Sequence, residues 1–232
     1  MPTVKGHLHQ TNLTLKGWRK LVPSIPHPPL TWDMTVCIAV RLVTQGKWAM
    51  GVATLLSFDC YLRVGEMCGL TGSDVADAGD KRRGSHHTTM ELRLRKTKTG
   101  TNKSVTVRNV AVIALMRKLL GSVPAAADSR LFPFSASTFR RHFKRACADL
   151  GLAKDIVPHS LRHGGATHDD ARGLTIEQIM KHGRWASTKS ARHYIQSGRA
   201  LLLNNSIPDS VFELSRSLVP NIEEIFTLAQ SH

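Results

Sequence analysis

Tyrosine is nearly absent: the 232 residues hold only Tyr61 and Tyr194, and the chain is 6% aromatic. Any chemistry that needs a phenol has two candidates. Cysteine is sparse as well. Cys37, Cys60, Cys68 and Cys147 form no CxxC pair or tight cluster, which excludes a disulfide-stapled scaffold and a cysteine-built zinc site; free thiols in a reducing compartment are expected. Long apolar runs are missing too. The longest, at residues 48–58, is short and broken, and no basic stretch followed by an apolar one opens the chain, so a soluble protein outside the membrane is expected. Acidic residues are outnumbered, 17 against 32 Lys and Arg, for a net charge of +15. That balance favours a polyanionic partner, and nucleic acid is the commonest one.

What is present suffices for a folded domain, since 41% of the residues are hydrophobic. The positive charge is unevenly spread. Residues 201–232 hold one cation, Arg216, against Asp209, Glu213, Glu223 and Glu224, so the surplus belongs to the earlier part. Residues 1–24 are basic and polar, and Pro23, Pro26, Pro28 and Pro29 read as a linker. Thr31 is placed to cap a helix carrying Val36, Ala39, Val40 and Val43, and residues 47–58, apolar on most faces, read as a helix buried at the centre. Residues 74–89 are charged and Gly-rich, hence a loop, with Lys81, Arg82 and Arg83 solvated in it. Residues 90–95 and 104–107 alternate in polarity and predict a β-hairpin turning about residues 99–102, with Lys98 at its tip. One helix is expected over residues 110–120. Another, capped by Ser137 or Thr138, spans 139–150 and carries Arg140, Arg141, Lys144 and Arg145 on a face suited to a DNA backbone. Beyond residue 200, Pro208 and Pro220 mark two short amphipathic helices bearing Val211, Leu214 and Leu218, then Ile222, Ile225 and Phe226. The fold class is mainly α with a small antiparallel β-sheet, α+β.

The chemistry gathers after Pro158. If His159-Ser-Leu-Arg162 is helical, His159 and Arg162 stand three apart and project from one face, where a single phosphate touches both. Ile176, Ile179 and Met180 recur at helical spacing, Gly183 ends that segment, and Trp185 falls just past it. Ser187 or Thr188 is placed to cap a short helix carrying Tyr194, with Gly198 as its stop. Upstream, Arg63 and Glu66 in LRVGE also share a helical face, and Lys98 stands in KTKTG. His-x-x-Arg, then Gly and Trp, then Tyr nine residues past that Trp, with Arg-x-x-Glu and Thr-Lys-Thr upstream, resembles the tyrosine recombinase (phage integrase) family. The resemblance covers residues 25–200, in the Trp variant of the Cre-like branch. In Gly183-Arg184-Trp185 either Arg184 or Trp185 is available to match, and the nine-residue spacing selects Trp185.

The resemblance implies the catalytic-domain fold of that family over residues 25–200, a preceding DNA-clamping domain absent from this chain, and a tail at 201–232 that docks on a neighbouring protomer or completes the core. It implies double-stranded DNA as partner, pairs or tetramers on it, and a location with the DNA, nucleus or bacterial cytoplasm. It also implies roles. Tyr194 is the nucleophile that forms a 3′-phosphotyrosine, His159 takes its proton, and Arg63 and Arg162 hold the non-bridging oxygens. Trp185 adds a neutral donor, Lys98 protonates the leaving 5′-oxygen, and Glu66 orients Arg63 or the histidine. Tyr61 lies in apolar surroundings and is the poorer nucleophile. A metal is disfavoured although His163 and His168-Asp169-Asp170 invite one: Arg162 repels a cation there and no Glu occupies a zincin position. No cofactor is expected. The implied function is site-specific DNA recombination; the alternatives are a recombinase-derived DNA-binding protein without catalysis and a type IB topoisomerase.

Overall fold

The structure, a computed structural model, describes residues 10–15, 17–18, 27–77, 89–97, 100–122 and 129–230. Lys98, Pro23, Pro26 and Lys81 to Arg83 lie outside the described residues. The chain folds as α1 Trp32–Thr44, α2 Trp48–Asp59, α3 Val64–Cys68, a 3-10 turn, then strands β1 Val75–Asp77, β2 Met90–Thr97 and β3 Gly100–Val107. There follow α4 Val110–Ser122, α5 Ala136–Asp149, α6 His159–Ala171, α7 Ile176–Gly183, α8 Thr188–Arg192, α9 Ser197–Asn204, α10 Asp209–Leu218 and α11 Ile222–Leu228. This is the mainly helical α+β class read from the sequence.

Helix α1 starts where Thr31 Oγ1 accepts the Met34 amide at 3.2 Å. Helix α2 is apolar nearly all round and becomes the central rod, with α1, α4 and α6 against it. Helix α6 comes in close because it brings glycine to the contact: a Cβ on Gly165 would stand 2.2 Å from the Phe58 carbonyl. That approach sets the first turn of α6 beside the carbonyl end of α2.

The expected hairpin is there, and a third strand joins it. β1 pairs antiparallel with β2, which pairs with β3, with Leu92 opposite both Val75 and Val105. Met90, Leu92, Leu94, Val105 and Val107 bury one face. β1 is too short to show a period, and its anchor is polar: buried Asp74 takes Arg93 Nε at 3.2 Å and Arg95 Nε at 2.7 Å. The cap of α5 is Ser135, two residues before the earlier candidate Ser137, with its hydroxyl accepting the Thr138 amide at 3.1 Å.

The two expected tail helices are there, α10 and α11, and a third, α9, runs across residue 200. Val211, Ile222 and Phe226 are buried in the main core, α10 and α11 pack on α1, and Trp48 Nε1 donates to the Phe226 carbonyl at 2.8 Å. Phe226→Ala is expected to lower unfolding free energy by about 3–5 kcal/mol in denaturant titration. A change under about 0.5 kcal/mol would mean that the tail only rests on the surface.

Candidate active site

A helix ends with carbonyls that no amide within it can reach. At the end of α2 those groups are satisfied from far along the chain. The Asp59 carbonyl accepts His182 Nε2 at 2.7 Å, the Cys60 carbonyl accepts Arg184 Nη1 at 3.0 Å, and the Tyr61 carbonyl accepts Arg184 Nη2 at 3.1 Å and a short bond from Arg162 Nη1. Tyr61 has a positive φ of 48°, in the left-handed region. Arg162 is fully buried, and its Nη2 donates to the Gly183 carbonyl at 2.8 Å. Burial, helped by the charges of Arg63 and Arg184, brings its pKa down to about 10, so it stays cationic at neutral pH.

Glu66 gathers the remaining positive charge. From α3 it accepts the Arg63 amide at 2.9 Å and Arg63 Nη1 at 2.7 Å, and it accepts Arg184 Nη2 at 3.2 Å. Burial pushes its pKa up, but the Arg63 amide and the Arg184 charge outweigh that, and the carboxyl ends below its ordinary range. Sequence reasoning offered Arg184 only as an alternative donor and missed its role as the second partner of Glu66.

The Gly-Arg-Trp run has a local reason for each residue. Arg184, with φ 58°, supplies the left-handed cap that ends α7. A Cβ on Gly183 would fall 2.0 Å from Trp185 Cζ3, so only glycine leaves room for the indole. Arg184 then turns inward to Glu66, and Trp185 faces Arg162, whose guanidinium carbon sits 4.7 Å from the indole centroid.

Tyr194 lies two residues past α8, which Ser187 caps; Gly198 sits in the first turn of α9 and stops nothing. Two rings lie against the phenol: Trp185 stacked at 4.7 Å and 26°, and His163 tilted at 4.6 Å and 32°. The Arg162 guanidinium is 5.0 Å from the phenol centroid, and His159 meets the ring edge-on at 5.6 Å. Tyr194 is half-buried, and its hydroxyl has no partner among the described residues. Burial, together with Arg162, His27 and Arg63, lowers His159 to about 4, which leaves a neutral imidazole at pH 7. Three donors here are enclosed with no acceptor among the described residues, Arg162 Nε, Arg184 Nε and Trp185 Nε1.

Arg63 and His159 open onto a cavity of about 860 Å³ whose wall also holds His27, Arg140 and Lys144. Of the seven residues singled out from the sequence, Arg63, Glu66 and His159 thus line this cavity, and His159, Arg162 and Trp185 surround the phenol of Tyr194. Lys98, the seventh, is outside the described residues. Tyr61 is spent elsewhere: its buried hydroxyl makes a short bond to Asp169, which also takes Arg108 Nη1 at 2.8 Å. The residues that suggested a metal do not converge. His163 Nδ1 faces Gln196, His168 lies edge-on to Phe58, Asp169 holds Tyr61, and Asp170 accepts Ser197 Oγ. No helix among the described residues is long and apolar enough to cross a membrane.

Residues 42–200 match the model of the phage integrase family. The tyrosine recombinase XerC of Brucella suis biovar 1 (strain 1330) is 28% identical over 186 residues, covering 72% of this chain and 54% of that protein. The chain spans about half the length of the curated relatives it matches. Among solved structures, that of XerA recombinase superposes with a TM-score of 0.57 at 20% identity, covering 84% of this chain and 66% of that one. The structure of a lambda integrase dimer bound to a COC' core site gives 0.59 at 19% identity, covering 75% and 49%.

Glu66→Gln leaves two guanidiniums without their shared anion, and a loss of about 3–5 kcal/mol is expected in unfolding experiments near neutral pH. The native carboxyl titrates below its ordinary 4.5, so the charged-form stability is present above that pH and is lost as pH falls through the folded value. The gap between wild type and variant should be full above pH 4.5 and close on acidification; a gap independent of pH would show that the ion pairs contribute nothing.

Proposed function

This chain belongs to the phage integrase family, and from that premise we propose that it is a site-specific DNA recombinase that cuts and rejoins strands through Tyr194. The observation that carries the reading is the convergence of Arg63, His159, Arg162, Trp185 and Tyr194, from four separate stretches of sequence, on one phenol and the basic cavity beside it.

The Tyr194 oxygen attacks the scissile phosphorus and forms a 3′-phosphotyrosine while the bond to the 5′-oxygen breaks. Free phenol is about one thousandth ionised at pH 7, so the proton must be taken as attack proceeds, and neutral His159 beside the ring is the acceptor. The departing 5′-oxygen takes a proton from Lys98. Rejoining runs the same steps backwards with a 5′-hydroxyl from another strand. Arg63, held by Glu66, reaches the phosphate from the cavity side, and forked guanidiniums suit two non-bridging oxygens better than lysine does. The phenol and the indole together cover the Arg162 guanidinium. Swinging the phenol toward the cavity therefore uncovers that cation in the movement that delivers the nucleophile.

Arg140 and Lys144, one turn apart on α5, extend the positive wall from the pocket along the duplex backbone. The partner is double-stranded DNA, bound by two or four copies, in whichever compartment holds it. A second reading, a recombinase-derived DNA-binding module, draws on one observation: Arg162 is wholly enclosed.

A suicide DNA substrate that loses its 5′-hydroxyl end on cleavage separates the two. Wild type should accumulate a covalent adduct and Tyr194→Phe none. An adduct with the phenylalanine variant would remove Tyr194 as nucleophile, and tight binding without adduct from wild type would favour the module. Lys144→Ala should weaken binding evenly across DNA sequences and reduce the slope of log K against log salt by about 1. An unchanged slope would take α5 off the backbone.

A further inference from the structure

The phenol is carried by residues 193–196, a stretch outside regular structure between α8 and α9. Left to itself, such a stretch samples many conformers, few of which present the hydroxyl to a phosphate. One face of α6 restrains it. His159, His163, Thr167 and Asp170 recur at spacings of four, four and three, so they form a stripe along the helix. Thr167 Oγ1 donates to the Tyr194 carbonyl at 3.3 Å and accepts the Gln196 amide at 3.0 Å. Gln196 Nε2 lies 2.7 Å from His163 Nδ1, and one turn on Asp170 accepts Ser197 Oγ at 2.9 Å.

The orientation of the Gln196 amide is fixed by a neighbour. Arg199 Nη1 donates to Gln196 Oε1 at 3.0 Å, so the amide nitrogen faces the imidazole and donates to it. His163 Nδ1 is therefore the acceptor, and its ring proton resides on Nε2. With that bond made, the imidazole plane lies beside the phenol at 4.6 Å. Gln196 Nε2 also reaches the His193 carbonyl at 3.4 Å, so a side chain lacking an acceptor at this point leaves one of its two N–H groups without a partner.

We propose that this stripe is a clamp that fastens the Tyr194 segment to α6 of the same chain, and that His163 is a positioning residue for strand cleavage, acting on Tyr194 through Gln196. The proposal rests on the reading of Tyr194 as nucleophile. Burial, reinforced by the neighbouring His159 and His193, holds His163 down to about 3, so the accepting nitrogen stays bare at neutral pH. His163 does not touch the reacting atoms. It decides where the phenol waits.

The test compares His163→Asn, which keeps an acceptor near the Nδ1 position, with His163→Phe, which keeps a flat ring and loses the acceptor, and with Thr167→Val. Adduct formation on the suicide substrate is read at saturating DNA, beside DNA affinity and hydrogen exchange at the Gln196 amide. The phenylalanine and valine variants should cleave about tenfold to a hundredfold more slowly at nearly unchanged affinity, the valine variant should exchange its Gln196 amide faster, and the asparagine variant should recover most of the rate. Wild-type rates in both Phe and Val variants, or asparagine no better than phenylalanine, overturn the clamp while leaving Tyr194 in place. Should His163→Phe fail to fold, Thr167→Val alone decides by the same two readouts. An adduct in Tyr194→Phe, or no adduct in wild type, removes the nucleophile and the positioning role with it, while the exchange rate still reports whether the segment is fastened.

Discussion

The carbonyl end of α2 is the constraint on which the site depends. Three residues from distant segments, Arg162, His182 and Arg184, donate to carbonyls of three consecutive residues, Asp59, Cys60 and Tyr61. A helix terminus is a good place to bury cations, because its unpaired carbonyls and the negative end of its dipole supply what water would otherwise provide. Tyr61 is the pivot. Its φ of 48° lies in the left-handed region, and a tyrosine there is held by contacts at both ends: the Asp169 bond at the hydroxyl and the packing of Trp185 and His182 on its ring. The chain's other phenol is thus spent on building the floor under Tyr194.

The central helices and the hairpin were legible because their patterns are local. Residues 47–58 are apolar on most faces and become the buried rod; residues 90–95 and 104–107 alternate and become paired strands. His159 and Arg162 were legible from their spacing, since α6 does place them on one side of the site. What stayed hidden depends on contacts across the chain. β1 is three residues long and is held by its pairing and by the Asp74 ion pairs, neither of which leaves a period in the sequence. Arg184 reads as a possible donor in the motif, yet its left-handed backbone and the pull of Glu66, 118 positions earlier, turn it inward. Gly198 reads as a stop, but Tyr194 had already left its helix because α8 is a single turn.

Charge balance connects the fold to its chemistry. Arg63 and Arg184 share the carboxylate of Glu66, which leaves Arg162 to carbonyls and aromatic faces. Neutral groups solvate a guanidinium without cancelling its charge, so the site keeps a positive surplus that the native fold must carry. Such a surplus lowers stability, as sites shaped for a charged ligand commonly do. An anion entering the cavity beside Arg63 would offset it, and anything that binds the folded state alone also stabilises that state. The strain of crowded cations and the affinity of such a site for any anion are one electrostatic term viewed with the anion absent or present.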